Sequence, residues 1–257
     1  MLLEKPIIIY YFSGTGNTLL LAKKIKEAFE KQKYSVTLRN ISTSESVELE
    51  NDCHLGIVVP VAMESTFPIV WNFVKRLPEG KKRNVFLADT MESFSGGIVG
   101  PMKKALTAKG YQCIGAREFK MATSMQMTEK KADTGKKKNE TALLQAEEYV
   151  QALIDGSAKW KRIPVLSDLM RLISRGHFIW EKTSQFIRID DTLCIRCRVC
   201  EKHCPVHAIE FTDNQCMKIH HNQCIDCMRC VNYCPRNAFT LGGKKLIQKK
   251  NVNVNEL

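Results

Sequence analysis

The sequence predicts two units in one chain. The first is an α/β domain, a doubly wound five-stranded parallel sheet, over residues 1–155; the second is a smaller α+β domain over 188–245. Three observations predict this. Apolar strand-like runs alternate with helical stripes through the first 155 residues. Nine of the 11 cysteines fall between Cys194 and Cys234. A gapless internal repeat, Ile189 onto Ile219, divides that cysteine-rich stretch into equal halves.

Ile7–Phe12 is apolar throughout and reads as a buried strand. Asn17–Lys31 carries Leu20, Leu21, Ile25 and Phe29 at helical spacing. Ser35–Leu38, Leu55–Val59 and Asn84–Ala88 read as further strands, with helical patterns following at Ile69–Leu77 and Val99–Lys109. A fifth strand is expected near Ile114–Phe119 and a last helix over Thr141–Ile154. The lysine-rich stretch 128–140 between them reads as a solvated loop. Residues 156–187 form a linker with a basic amphipathic helix over 164–175, opened by Pro164; packing one domain on the other is its expected role, ahead of lying on a membrane. Residues 246–257 are left as a C-terminal tail.

With 257 residues and 44% hydrophobic residues the chain can bury a sizeable core. No run approaches the roughly 18 apolar residues of a membrane helix. The N-terminal segment, interrupted by Glu4, Lys5 and Pro6, does not read as a secretory signal, so a cytoplasmic protein is expected. Clustered cysteines in such a protein speak for metal, not disulfides. The net charge of +12 invites a nucleic-acid reading. The basic residues are dispersed, however, and no helix-turn-helix, finger or RNA-recognition pattern appears.

Each half of the repeat reads C-x2-C-x2-C-x3-C-P: Cys194, Cys197, Cys200, Cys204 and Pro205, then Cys224, Cys227, Cys230, Cys234 and Pro235. Two-residue gaps let a tight loop wrap three corners of a cubane, while the fourth cysteine, set off by a short turn, faces the other loop. Zinc sites pair two dyads at a distance and do not repeat this pattern. Cys216 is surplus to eight ligands, Cys53 and Cys113 read as small apolar residues just before strands, and His203 and His207 read as structural.

The first strand empties into Ser13, Gly14, Thr15, Gly16, Asn17 and Thr18, a loop suited to a phosphate. It is neither GxGxxG nor GxxxxGK[ST], which disfavours dinucleotides and nucleoside triphosphates. It matches the flavodoxin phosphate loop. Together with the cysteine repeat, it makes the chain resemble the flavodoxin–ferredoxin fusion proteins of anaerobes, the EFR1-family ferredoxins. That resemblance implies a flavodoxin-like sheet ordered 2-1-3-4-5 with FMN at the carboxyl ends of its strands. It also implies two [4Fe–4S] clusters: one on Cys194, Cys197, Cys200 and Cys234, the other on Cys224, Cys227, Cys230 and Cys204.

Two more loops should then cover the flavin. One runs from Pro60 to Pro68, with Pro60, Val61, Ala62 and Met63 as candidates and Phe67 nearby; Ala62 stands where flavodoxin-like proteins often place an aromatic residue. The other runs from Asp89 to Gly97, with Thr90, Met91, Phe94, Gly96 and Gly97 as candidates and Ser93 and Ser95 as polar neighbours. Glu64 and Glu92 are the acids there placed to assist protonation, solvated surface carboxylates explain them as well, and no catalytic dyad is visible. The expected function is electron transfer between the clusters and FMN and onward to a redox partner. An FMN-dependent iron–sulfur oxidoreductase acting on a quinone, a flavin or a similar small acceptor is the alternative, and a redox sensor a third. Two clusters and FMN bring the net charge to about +6, which suits acidic partner proteins; a homodimer is also open.

Overall fold

The computed structural model describes residues 5–44, 47, 49, 52–93, 96–160, 177–214, 216–249 and 252–257. The amphipathic helix expected over 164–175 lies outside them. Five strands, β1 (Ile7–Tyr11), β2 (Val36–Asn40), β3 (His54–Pro60), β4 (Asn84–Met91) and β5 (Gln112–Lys120), form one sheet in the order β2-β1-β3-β4-β5. Every pairing in it is parallel. The flavodoxin-like, doubly wound topology is therefore present.

Both faces of the sheet are covered, which is why its strands read as unbroken apolar runs. Ile8, Tyr10, Leu55, Ile57 and Leu87 meet α2 (Pro68–Arg76) and α3 (Val99–Ala108) on one side. Ile7, Ile9, Val58 and Phe86 meet α1 (Asn17–Lys31) and α4 (Glu129–Ile154) on the other. The buried stripe of α1 uses Leu19, Leu21, Ile25 and Phe29, with Leu20 at its margin instead of its centre.

The lysine-rich stretch 128–140 is helix, not loop: it forms the first half of the 26-residue α4. The Thr128 hydroxyl accepts the Lys131 N–H at 3.3 Å and caps the helix. Gly135, an unfavourable helix residue, is used because a Cβ there would come within 2.7 Å of the Ala122 Cβ. Strand ends also differ from expectation. β4 runs on through Asp89, Thr90 and Met91, held by pairing with Glu118, Phe119 and Lys120, so these residues are not loop. Cys113 sits within β5, not ahead of it.

The cysteine-rich part begins after α5 (His177–Ser184). It holds two antiparallel pairs: β6 (Ile187–Ile189) with β9 (Phe239–Leu241), and β7 (Ile209–Phe211) with β8 (Met217–Ile219). Two short helices, α6 (Val199–Lys202) and α7 (Arg229–Tyr233), follow equivalent loops. The repeat is structural: Arg196 and Asp226 have φ 57° and 53°, Arg198 and Met228 have 58° and 59°.

Of residues 246–257, expected as a tail, the described residues 246–249 and 252–257 pack as a strap across both parts. Leu246 is buried among the cysteine loops and Leu257 against α1 and α4. The Tyr11 hydroxyl donates to the Glu256 carbonyl at 2.8 Å. Among the described residues no helix is long and apolar enough to cross a membrane.

Candidate functional site

The carboxyl ends of β1, β3 and β4 open onto a cavity of about 310 Å3, within the size range of small-molecule sites. Ser13, Gly14, Thr15, Asn17 and Thr18 line it from the first loop, Pro60, Val61, Ala62, Met63, Glu64 and Phe67 from the second, and Thr90, Met91, Glu92 and Ser93 from the third. The first loop is shaped for a phosphate by backbone, not charge. Gly16 adopts φ 104° and leads into α1 without a side-chain cap. The first N–H groups of that helix therefore lack intrahelical acceptors and carry its positive dipole end. Ser13 Oγ accepts the Gly16 N–H at 3.0 Å, which fixes the turn. A phosphate monoester fits this uncapped end without a lysine.

The hydroxyl and amide side chains of the loop have structural work. Asn17 Nδ2 donates to the Ala122 carbonyl at 2.6 Å, and Asn139 Nδ2 donates to Asn17 Oδ1 at 3.2 Å. Thr18 Oγ1 and Thr90 Oγ1 share a hydrogen bond of 2.7 Å. They lock the first loop to β4 and to the segment after β5.

At the rim, Met63 and Glu64 both take left-handed φ, 48° and 57°. Ala62 and Ser65 exchange backbone hydrogen bonds around them at 2.8 and 2.9 Å, a tight two-residue turn. Holding two such non-glycine residues costs about 1–3 kcal/mol each. The Gly97 N–H donates to the Glu64 carbonyl at 2.6 Å, Ser65 Oγ donates to the Gly97 carbonyl at 3.2 Å, and Trp71 Nε1 donates to Ser65 Oγ at 3.2 Å. Gly97 thus braces the turn and does not line the cavity. Gly96 lies on a neighbouring cleft, and Gly16 faces Val252 and the Tyr233 hydroxyl. Phe94 and Ser95 lie outside the described residues.

Six lining residues had not been expected: Met121, Ala122, Thr123, Ser124 and Met125, which follow β5, and Cys227. The small, hydroxylated "ATS" run after a buried strand was the available signal for the first five. For Cys227 no local signal exists.

The eight repeat cysteines divide into two sets. Cys194, Cys197, Cys200 and Cys234 surround one apolar cavity with Ile189, Met217 and Phe239. Cys204, Cys224, Cys227 and Cys230 surround the other with Ile187, Ile209 and Ile219. Each set takes its fourth cysteine from the opposite half of the repeat. Backbone donors point at sulfur in equivalent places: the Ala208 N–H at Cys204 Sγ (3.2 Å) and the Ala238 N–H at Cys234 Sγ (3.3 Å). Among the described residues no three Cys, His, Asp or Glu side chains converge as they would on a single ion. Burial pushes the Cys200 and Cys224 thiols up to about 12 and Cys227 to about 11. Thiolates in these apolar cavities would therefore need a positive partner. Cys216 is exposed and lies in neither set. Neither His203 nor His207 lines either cavity, and the carbonyl of His203 accepts from Arg229.

The two sites abut. A Cβ on Gly14 would meet the Cys227 carbonyl oxygen at 2.1 Å, so only glycine admits that approach. The Arg229 guanidinium, buried, donates to the carbonyls of Ser13 (2.8 Å), His203 (3.0 Å) and Leu257 (3.1 Å) and lies over the Phe12 ring. Ile225 shares an apolar cluster with Phe67 and Trp180. The Tyr233 hydroxyl donates to the Thr15 carbonyl at 3.4 Å, and Lys249 Nζ to the Thr123 carbonyl. A phosphate loop and a cysteine loop thus share one buried seam.

Comparison with known proteins agrees with this division. Residues 193–238 match the family model described as a 4Fe–4S dicluster domain. A search of curated proteins found no match. Among solved structures, the chain is similar to a flavodoxin from the domain Archaea (15% identity, 55% of this chain and 99% of that one, TM-score 0.39). It is also similar to the two-electron reduced flavodoxin of Megasphaera elsdenii (21%, 54% and 98%, TM-score 0.38). Rubredoxin oxygen:oxidoreductase from Desulfovibrio gigas matches at 16% identity over 61% of this chain, which spans 38% of that protein's length, with a TM-score of 0.38. Likenesses this distant carry nothing about ligands. The strand order alone establishes the fold, and the 193–238 match marks the cysteine-rich part as an iron–sulfur domain.

Proposed function

We propose that this chain is an electron-transfer protein in which two [4Fe–4S] clusters and FMN form a relay that hands electrons on to a redox partner. Cys194, Cys197, Cys200 and Cys234 hold the outer cluster; Cys204, Cys224, Cys227 and Cys230 hold the inner one. The cavity at the strand ends would hold FMN, with residues 13–18 available to its phosphate and the Pro60–Met63 and Thr90–Ser93 segments to the rest of the molecule. When bound, the clusters pass single electrons and the flavin accepts one or two. The chain's own contribution is placement: Gly14 and Arg229 hold the inner cysteine loop against the phosphate loop.

One observation carries this reading. Cys227, a ligand of the inner cluster, lines the same cavity as the phosphate loop. A chain that only stored the two cofactors would not need its cysteine loop on the flavin site.

The test is anaerobic. Iron, acid-labile sulfide and FMN are measured per chain, and the flavin is followed by stopped flow after reducing the clusters. About eight irons, one FMN and rapid flavin reduction are expected. Absent FMN, or a flavin that stays oxidised beside reduced clusters, overturns the relay.

A second reading has one observation in its favour. A cleft of about 1140 Å3 adjoins the flavin cavity, sharing Met91 and Ser93 with it. A small acceptor bound there would make the chain an FMN-dependent reductase, and turnover with a soluble quinone distinguishes the two.

A further inference from the structure

The internal repeat supplies its own comparison. The loops 190–200 and 220–230 have the same backbone: Cys194 donates to the Asp190 carbonyl and Cys224 to the His220 carbonyl, both at 3.1 Å. Their surroundings differ completely. Ile225 is 6% exposed, in the apolar cluster with Phe67 and Trp180, and its loop delivers Cys227 to Gly14. The equivalent Ile195 is 55% exposed, Leu193 beside it is 40% exposed, and Cys197, the counterpart of Cys227, is exposed as well. One copy of a docking loop is docked and the other faces solvent.

The side chains around the exposed copy also differ in charge. Arg196, Arg198 and Arg236 stand where the docked copy has Asp226, Met228 and Val206. Arg198 is held in place by Glu201 (Nε···Oε2 2.6 Å) and lies over the Phe211 ring at 5.3 Å. Asp191 is the one exposed acid on the same loop.

We infer that the loop around Leu193 and Ile195 is the entry port for an acidic redox protein. The partner would seat an apolar surface on Ile195, as this chain's own flavin half seats on Ile225, and would set carboxylates against the three arginines. This deepens the relay reading and rests on it, because it assigns the outer cluster to the partner and the inner cluster to the flavin. A chain that stays net positive attracts acidic proteins over its whole surface, so what distinguishes this site is the exposed apolar pair beside an exposed cluster ligand.

The test uses the anaerobic holoprotein with a reduced, acidic plant-type [2Fe–2S] ferredoxin as electron donor, followed by stopped flow through bleaching of the [4Fe–4S] absorbance. Two variants are compared with the unaltered protein: the double variant Arg196→Glu/Arg236→Glu, and Ile195→Ser. Iron content and reduction by dithionite serve as controls. The wild-type rate should fall at least about tenfold from low to high salt, and the charge-reversal variant should lose at least about tenfold at low salt. Ile195→Ser should slow the donor reaction in high salt, where the arginines are screened. Reduction by dithionite should be unchanged in both. Charge reversal without effect on the ferredoxin rate, or a larger loss from Lys137→Glu/Lys138→Glu on α4, would overturn the assignment. Failure of the relay itself reads differently: the clusters bleach with the expected dependence while the flavin stays oxidised.

Discussion

Arg229→Met probes the seam most directly. Arginine donates three charge-assisted hydrogen bonds to the Ser13, His203 and Leu257 carbonyls, which come from the phosphate loop, the end of α6 and the C-terminal strap. At about 1.5 kcal/mol each, their loss costs about 4–5 kcal/mol. Methionine returns part of this. It fills much of the same buried volume, removes the desolvation of a buried cation, and eliminates an Nε–H that has no partner. Allowing about 1–2 kcal/mol for these gains leaves a net destabilisation of about 3 kcal/mol. For a chain of this size that lowers the melting temperature by about 6–12 °C. The assay is an anaerobic thermal scan of the holoprotein that follows cluster absorbance and flavin fluorescence together. In the wild type the two signals should be lost in one transition, and in the variant the cluster signal should go first. A variant that melts with the wild type, both signals still coincident, would refute the argument that Arg229 staples the two halves.

Other outcomes follow from the same geometry. Gly14→Ala forces the Cys227 carbonyl to retreat by about 1.2 Å to reach an ordinary C···O separation, at about 1–3 kcal/mol; stopped flow should show slower flavin reduction with iron content unchanged. Cys204→Ser should remove the cluster otherwise held by Cys224, Cys227 and Cys230, leaving about four irons on the Cys194 set. Loss of the Cys194 set instead would show that the ligands do not cross between repeats. Asp89 is buried with both carboxylate oxygens unpartnered, and burial raises its pKa well above the ordinary value, Glu118 adding to the shift. Its folded state thus favours the protonated acid. The stability this carries is complete below the unfolded pKa near 3.8 and is lost as pH rises through the folded pKa. Asp89→Asn should therefore raise the melting temperature at pH 7 by an amount that shrinks toward pH 4, and an equal shift at both pH values would refute this.

Much of the site was legible because its signals are local. The repeated spacing marks three thiols at two-residue gaps as wrapping one object, and the family resemblance implies that the displaced fourth serves the other set. The phosphate loop was legible for the same reason: the strand, the glycines and the helix start are neighbours in sequence. The first half of α4 was missed because its exposed face carries lysines, so no apolar stripe marks residues 128–140 as helix. The packing of Gly135 on Ala122 is visible only once β5 and its following loop are in place, whereas the Thr128 cap on the Lys131 N–H is local. The five cavity residues after β5 were missed because their one local signal, the small, hydroxylated "ATS" run, is shared by ordinary connections between elements.

The sequence by itself determined the strand–helix alternation, the phosphate loop and the two repeated cysteine runs, because each depends on residues a few positions apart. It could not determine which cysteine loop meets the flavin half. The two loops are near-copies, and their isoleucines, Ile195 and Ile225, are the same residue in the same local conformation. Only the tertiary structure broke that equivalence. Gly14 admits the Cys227 carbonyl, Arg229 bonds to Ser13, and Tyr11 bonds to Glu256 in the C-terminal strap, all contacts between residues more than 200 positions apart in sequence.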